Sequence, residues 1–170
     1  MTFLRRAAIA TGVAGIVLPV MLVAQAVPAS ASGYDLVNEQ TDKCADAPNN
    51  LNYQRIEEWD CNYGSNQYFQ LVDYSNGYYH IKNIPDNKCV QAPDTVWGEQ
   101  LWIHDCNVGD NTVWWSEVWY NSPGAWAFVN KYNGLCMDLY QGNSTNGTKI
   151  IQWGCNGHWN QLWIQNYYLS

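Results

Sequence analysis

Positive charge is scarce in this chain. Its 170 residues hold eight Lys and Arg against 15 Asp and Glu, for a net charge of −7. Two of the eight, Arg5 and Arg6, stand at the extreme N-terminus. A basic footprint of the kind that tracks nucleic acid or anionic lipid is therefore missing. Helical periodicity is missing too, since no stretch carries an i, i+3, i+4, i+7 apolar stripe through three turns. There is no Cys-x-x-Cys spacing and no His–Cys cluster in the sequence, which argues against a metal site. The only histidines, His80, His104 and His158, belong to no recognisable nucleophile motif.

Long apolar runs are also lacking, with one exception at residues 7–26. Arg5 and Arg6 precede it and Ala29-Ser30-Ala31 follows. A charged start, an apolar middle and a small-residue cleavage site make up a secretory signal, expected to cover residues 1–31. The alternative is a membrane anchor, which the length of the run would suit. The small-residue site and the polar chain beyond it favour cleavage and release, and the arginine pair admits a twin-arginine route. What remains, residues 32–170, is 139 residues long, one domain's worth. Losing two arginines and no acid takes the charge from −7 to −9. A secreted protein without a membrane span or a cofactor is the expectation.

What is present is a threefold repeat, written in cysteine. Cys44 and Cys61 are 17 apart, Cys89 and Cys106 are 17 apart, and Cys136 and Cys155 are 19 apart. An asparagine lies six before each first cysteine (Asn38, Asn83, Asn130) and an aromatic ten before it (Tyr34, Tyr79, Trp126). After each second cysteine come an asparagine at plus five (Asn66, Asn111, Asn160) and an aromatic at plus eight (Phe69, Trp114, Trp163). Self-similarity at a fixed period points to a repeat architecture. Six cysteines in a secreted chain allow about 15 disulfide connectivities. The repeat favours one of them: Cys44–Cys61, Cys89–Cys106 and Cys136–Cys155.

Within a unit the pattern is strands and turns. Apolar or alternating stretches at 56–59, 101–104 and 149–153 end just before a cysteine. Turn clusters bound them, at Pro48-Asn49-Asn50, Ser75-Asn76-Gly77, Ser122-Pro123-Gly124 and 142–147. Three such units need closure to protect their strand edges, and a threefold barrel meets that need better than an open sandwich. The aromatics at plus eight, recurring with the repeat, are expected in the core.

Three segments carry a family resemblance: Cys136-Met137-Asp138, Ile151-Gln152-Trp153-Gly154-Cys155 and Asn160-Gln161-Leu162-Trp163. They resemble the ricin-type β-trefoil lectin repeat. In that family an acidic residue stands two after the first cysteine, an aromatic two before the second, and Asn-Gln-x-Trp closes the unit. The resemblance covers residues 34–168, with repeats at about 34–77, 78–122 and 123–170. It implies an all-β fold, a β-trefoil of twelve strands, with a six-stranded barrel capped by three hairpins. It also implies up to one shallow sugar site per repeat. Members act as lectins or as carbohydrate-binding modules attached to toxins and glycoside hydrolases, and galactose-type and xylose-type ligands are both compatible.

The chemistry of such a site follows from its residue types. A carboxylate accepts charge-assisted hydrogen bonds from two adjacent sugar hydroxyls. An aromatic ring offers a flat surface to the C–H face of a pyranose, and side-chain amides both donate and accept. By the family pattern, repeat one supplies Asp46, Trp59, Asn66 and Gln67, and repeat three supplies Asp138, Trp153, Asn160 and Gln161. Asp46 and Asp138 would take the hydroxyl pair, Trp59 and Trp153 the stacked face, and the amides the remaining polar contacts. Repeat two departs from the pattern, with Gln91 for the aspartate, His104 for the aromatic and Asn111-Thr112 at the close. It is read as structural. The closing Asn-Gln segment has a plain alternative role, satisfying backbone groups and packing the core.

An enzyme is not expected. Glu57 and Glu58 are adjacent, so on a strand they face opposite sides and cannot flank one bond. Glu57, four before Cys61, stands where some family repeats place another polar sugar contact. With only a few residues after the third repeat, no attached catalytic domain is expected. The rival reading is a trefoil protease inhibitor or toxin-like interaction protein, working through the aromatic stretch 114–120. That stretch is better read as part of a strand pair and hairpin joining repeats two and three. The expectation is a monomeric glycan- or polysaccharide-binding protein.

Overall fold

The computed structural model describes residues 33–167 apart from Asn50 and Val108, so the expected signal segment 1–31 lies outside the described residues. Repeat one provides β1 (Tyr34–Asn38), β2 (Cys44–Asp46), β3 (Gln54–Arg55), β4 (Glu57–Trp59) and β5 (Phe69–Ser75). Repeat two provides β6 (Tyr78–Asn83), β7 (Lys88–Gln91), β8 (Trp102–Asp105) and β9 (Trp114–Tyr120). Repeat three provides β10 (Ala125–Asn130), β11 (Cys136–Leu139), β12 (Thr148–Trp153) and β13 (Trp163–Tyr167). The remaining regular structure among the described residues is four single 3₁₀ turns, at Ser65–Gln67, Asn111–Val113, Tyr140–Gly142 and Trp159–Gln161.

Six strands close on themselves. β1 pairs with β13, β13 with β10, β10 with β9, β9 with β6, β6 with β5, and β5 returns to β1. This ring has no free edge, which is what three strand-rich units require. Three hairpins cap one end: β2–β4, β7–β8 and β11–β12. They hold one another, with β4 pairing to β12, β3 to β8, and Gln100 bridging to Ile151. The result is the β-trefoil anticipated above, with thirteen strands because the two-residue β3 is added to the expected twelve. At the other end Asn76 and Gly77 (φ 52° and 85°) turn β5 into β6. Two successive positive φ angles match the twist of a tight hairpin, and Asn-Gly tolerates them best.

The core is threefold in composition as well as in space. Leu36, Ile81 and Phe128 stand eight before the first cysteines, and Ile56, Leu101 and Ile150 stand five before the second ones. All six are fully buried in one cluster, each contributing about 1.5–3 kcal/mol by burial. Phe69, Trp115 and Trp163 complete it, packed at 0% exposure. Here the register of the sequence needs correction. Trp114 is buried, but it packs in a separate cluster with Cys89 and Val113. Its neighbour Trp115 is the true counterpart of Phe69 and Trp163, since Phe69 pairs with Asn83, Trp115 with Asn130 and Trp163 with Asn38. One extra residue after Cys106 causes the shift. The indole N–H groups of Trp115 and Trp163 donate to Val90 and Met137 carbonyls at 2.9 and 3.2 Å, so these large rings sit inside without an orphaned donor.

The recurring asparagines join one repeat to the next. Asn83 Nδ2 donates to the carbonyls of Ser65, Asn66 and Tyr68 at 3.2, 3.3 and 3.1 Å. Asn130 does the same for Thr112 and Trp114 at 2.8 and 3.2 Å. Asn38, near the start of the domain, reaches Asn160 and Leu162 near its end at 3.2 and 3.5 Å. Each amide thus satisfies the carbonyls of the preceding repeat's 3₁₀ turn. Cys44–Cys61, Cys89–Cys106 and Cys136–Cys155 are bonded, each with a Cα–Cα distance of 5.1 Å. Each bridge fastens one capping hairpin near its base.

Candidate functional site

Two of the three hairpins carry the same polar cradle. In repeat one, Asp46 lies at the end of β2, directly across from Glu57. Asn66 Nδ2 and Gln67 Nε2 both donate to Asp46 Oδ2, at 2.6 and 2.9 Å. In repeat three, Asn160 Nδ2 donates to Asp138 Oδ1 at 2.9 Å and Gln161 Nε2 to Oδ2 at 2.8 Å. The short 3₁₀ turn before β5 and before β13 swings both amides under the carboxylate. Alternation along the hairpin then sets the wall: Trp59 and Trp153 follow Glu57 and Ile151 by two residues and so share their face. The two indoles are 40% and 39% exposed.

The cradles open into shallow clefts. The repeat-one cleft, about 310 Å³, is lined by Asp46, Pro48, Glu57, Trp59, Asn62 and Asn66. The repeat-three cleft, about 440 Å³, brings together Asp138, Asn160 and Trp153 with Tyr140, Ile151 and His158, among others. Of the eight expected residues, six line a cleft. The other two do not, and this corrects the sequence-based expectation. Gln67 and Gln161 are 0% exposed, with their amides spent inside the protein. Besides the aspartate, Gln67 Nε2 donates to Asp60 O at 3.0 Å and its Oε1 accepts from Asn62 N at 2.9 Å. Gln161 repeats this with Gly154 O and Asn156 N at 2.9 and 2.8 Å. These glutamines position the carboxylate and tie the loop after the second cysteine. They have nothing left to offer a ligand.

The clefts differ in charge. Across from Asp138 stands the apolar Ile151, whereas Asp46 faces a second carboxylate. Partial burial and the charge of Asp46 both push Glu57 above the ordinary carboxylate range. Asp138 is raised further, to about 6, because burial outweighs the amide hydrogen bonds and the nearby His158 that favour its ionised form. Glu58, the neighbour of Glu57, points the other way and is fully buried. It accepts a hydrogen bond from the Thr41 hydroxyl, and burial raises its pKa. The two glutamates therefore cannot act together on one bond.

Repeat two has lost the cradle. Counting from the structure, Thr112 and Val113 occupy the places of the Asn-Gln pair, one later than Asn111-Thr112. Gln91 Nε2 donates to Thr112 Oγ1 and Asp110 Oδ2 at 2.8 and 3.1 Å, and its Oε1 accepts from the Trp102 indole. Trp102, opposite Gln91 where repeat one has Glu57, is met edge-on by Tyr53 at 5.2 Å and covered by the Arg55 guanidinium at 4.6 Å. Tyr53 also rests on His104 at 4.8 Å. Among the described residues, one cluster has metal-ligand spacing, His80 with Cys89 and Cys106. Both sulfurs are committed to a disulfide, so no thiolate is available to a metal.

Sequence reasoning missed Pro48, Asn62, Tyr140, Asn156 and His158 as cleft residues. Asn62 and Asn156 had a usable signal, since an asparagine directly follows every second cysteine. Tyr140 and Pro48, each four after a first cysteine, share only position, and no residue type marks them.

Comparisons with known proteins bear on the family and the fold. The family described as "Ricin-type beta-trefoil lectin domain" matches residues 32–163. No curated protein matches in sequence. Among solved structures, a designed threefold-symmetric protein, ThreeFoil, is 22% identical, with a TM-score of 0.72 over 79% of this chain and 97% of its own. The Rhizoctonia solani agglutinin is 19% identical, with a TM-score of 0.72 over 91% of this chain and 100% of its own. The C-half of an earthworm R-type lectin in complex with GalNAc is 17% identical, with a TM-score of 0.64 over 81% and 99%. An exo-β-1,3-galactanase from Clostridium thermocellum is 24% identical, with a TM-score of 0.73, but this chain spans only 31% of it. These likenesses concern the fold.

Proposed function

The chain belongs to the ricin-type β-trefoil lectin family, and from that premise we propose that it is a secreted carbohydrate-binding protein that acts by binding rather than by catalysis. The carrying observation is the cradle present in repeats one and three and absent from repeat two. An aspartate is held rigid by two amides beside a half-exposed indole, twice over. A fixed carboxylate can accept from two vicinal hydroxyls of a sugar while the indole covers its C–H face. Asn66 and Asn160, which line the clefts, each lend further donors and acceptors. Galactose-type and xylose-type sugars are the candidate ligands, and the GalNAc complex of the earthworm lectin half makes the galactose series the first to test.

Both clefts are shallow and exchange water hydrogen bonds for sugar ones, so monosaccharide affinity should be near millimolar, about −4 kcal/mol. Two live sites on one domain should hold a polysaccharide more tightly than its monomer, through effective concentration. The test is a glycan array of the wild type and of Asp46→Asn/Asp138→Asn. Binding by the wild type and none by the folded double variant supports the reading. Full binding by the double variant removes these clefts from the function, and a silent wild type removes carbohydrate. Secretion is checked separately, by an N-terminus at residue 32 in the exported protein.

A further inference from the structure

The three capping hairpins have equivalent corners, and one corner has been rebuilt. Tyr53, Gly98 and Gly147 occupy matching places, each donating its N–H to the residue three before a second cysteine: Ile103, Gln152 and Glu58, at 2.9, 2.8 and 2.8 Å. All three have positive φ, at 66°, 90° and 84°. The residues just before them are Asn52, Trp97 and Asn146. At two corners that residue closes a polar clasp. Asn146 donates to Asp60 at 2.8 Å, and Asp60 is paired with Lys43 at 2.9 Å. Asn52 donates to Asp105 at 3.0 Å, and Asp105 is paired with Lys88. The corresponding trio beside repeat three is Trp97, Gly154 and Leu135. The acid has become the glycine that leaves the indole room, since a Cβ on Gly154 would meet the Trp97 ring at 2.7 Å.

The loop that carries the indole is held firmly, yet the ring is left in the open. Gln152, buried in β12, donates to the Asp94 carboxylate and to Val96 O at 2.8 and 2.7 Å. Its own backbone is paired with Gly98 and Glu99 at 2.8 and 2.9 Å. Trp97 is nonetheless 59% exposed, so core packing does not explain it. Its ring lies 5.4 Å from that of Trp153, at 59° between planes. The 98–100 segment flanks β12 on the edge away from β11, which carries Asp138. Trp97 thus stands beside Trp153 on the side away from Asp138, next to the cleft rather than in its lining.

We propose that Trp97 is a second sugar-stacking platform, so that the repeat-three site takes a linear oligosaccharide rather than a single residue. The inference rests on the carbohydrate reading of that cleft. One sugar sits over Trp153 with its hydroxyls on Asp138, and the next lies against Trp97. The angle between the two rings suits a chain that turns between successive residues, and it disfavours the flat surface of a crystalline polymer.

The experiment uses Asp46→Asn protein, in which repeat one is silenced, and compares it with Asp46→Asn/Trp97→Ala. Probes are galactose with β-1,3-galactotriose and xylose with β-1,4-xylotriose, titrated calorimetrically. In the parent, the trisaccharide of the recognised series should bind about tenfold more tightly than its monosaccharide, the size of one good aromatic contact. Trp97→Ala should erase that advantage while leaving monosaccharide affinity and thermal stability unchanged, and Trp97→Phe should restore part of it. A merely structural role for Trp97 would change monosaccharide affinity as well. An advantage that survives Trp97→Ala overturns this inference and leaves the function standing, as does a parent that binds both lengths equally. A parent that binds neither overturns both.

Discussion

The buried carboxylates are the residues on which function and pH meet. Asp138 is ionised at neutral pH only at a cost, because burial lifts its pKa to about 6 from an ordinary 3.8. A sugar that needs the carboxylate as an acceptor must compete with the proton once pH falls below that value. In Asp46→Asn protein, the dissociation constant should therefore rise about tenfold between pH 7 and pH 5, read by calorimetry at each pH. Stability moves the other way. The folded state holds the proton more tightly than the unfolded one, so the destabilisation from this group is full above about 6 and relieved as pH falls toward 3.8. Loss of binding at pH 5 should thus occur without unfolding through Asp138. A flat affinity between the two pH values would mean that the carboxylate is not the acceptor.

At the scale of the element, the 3₁₀ turns at Ser65–Gln67 and Trp159–Gln161 are the working parts, since they carry the cradle amides and are themselves held by Asn83 and Asn38. Asn83→Ala should leave the carbonyls of Ser65, Asn66 and Tyr68 short of a donor. Unsatisfied buried groups cost about 1–3 kcal/mol, so urea unfolding should show a loss of that size. Affinity at repeat one should weaken too, because the loosened turn carries Asn66 and Gln67. The middle hairpin yields the converse expectation. Gln91→Asp should not create a third site: Val113 supplies no amide where Gln67 and Gln161 stand, and Trp102 occupies the space opposite. Glycan titration of Asp46→Asn/Asp138→Asn/Gln91→Asp should be silent.

For the whole molecule, the closed ring and the staples act together. Each bridge closes a loop of 17 or 19 residues. On the chain-entropy model such a loop contributes about 3 kcal/mol. Reduction should lower the unfolding midpoint sharply in denaturant titrations with and without a phosphine reductant. Non-reducing mass mapping should recover three bridges, each within its own repeat. Because each bridge fastens a capping hairpin and leaves the barrel ring untouched, the clefts should fail before the barrel melts. Glycan binding should accordingly be lost at lower denaturant than the tryptophan signal of the core.

Much of this was written in the sequence, because a repeat states each rule three times. Cysteine spacing, the asparagine six before each first cysteine and the alternation before each second one determined a threefold barrel, and the resemblance to the ricin-type lectin repeat implied the trefoil and marked Asp46, Asp138, Trp59 and Trp153. These are local patterns, and periodicity makes them legible. The same repeats hid three facts. One extra residue after Cys106 moved the core ring from Trp114 to Trp115, and only strand pairing reveals which of two adjacent tryptophans faces inward. Gln67 and Gln161 looked like ligand contacts, yet their burial arises from packing against the loop five residues upstream. Trp97 carries no motif at all. It meets Trp153 across a gap of 56 residues, and a contact between repeats is decided by closure of the barrel, which no spacing within a repeat encodes.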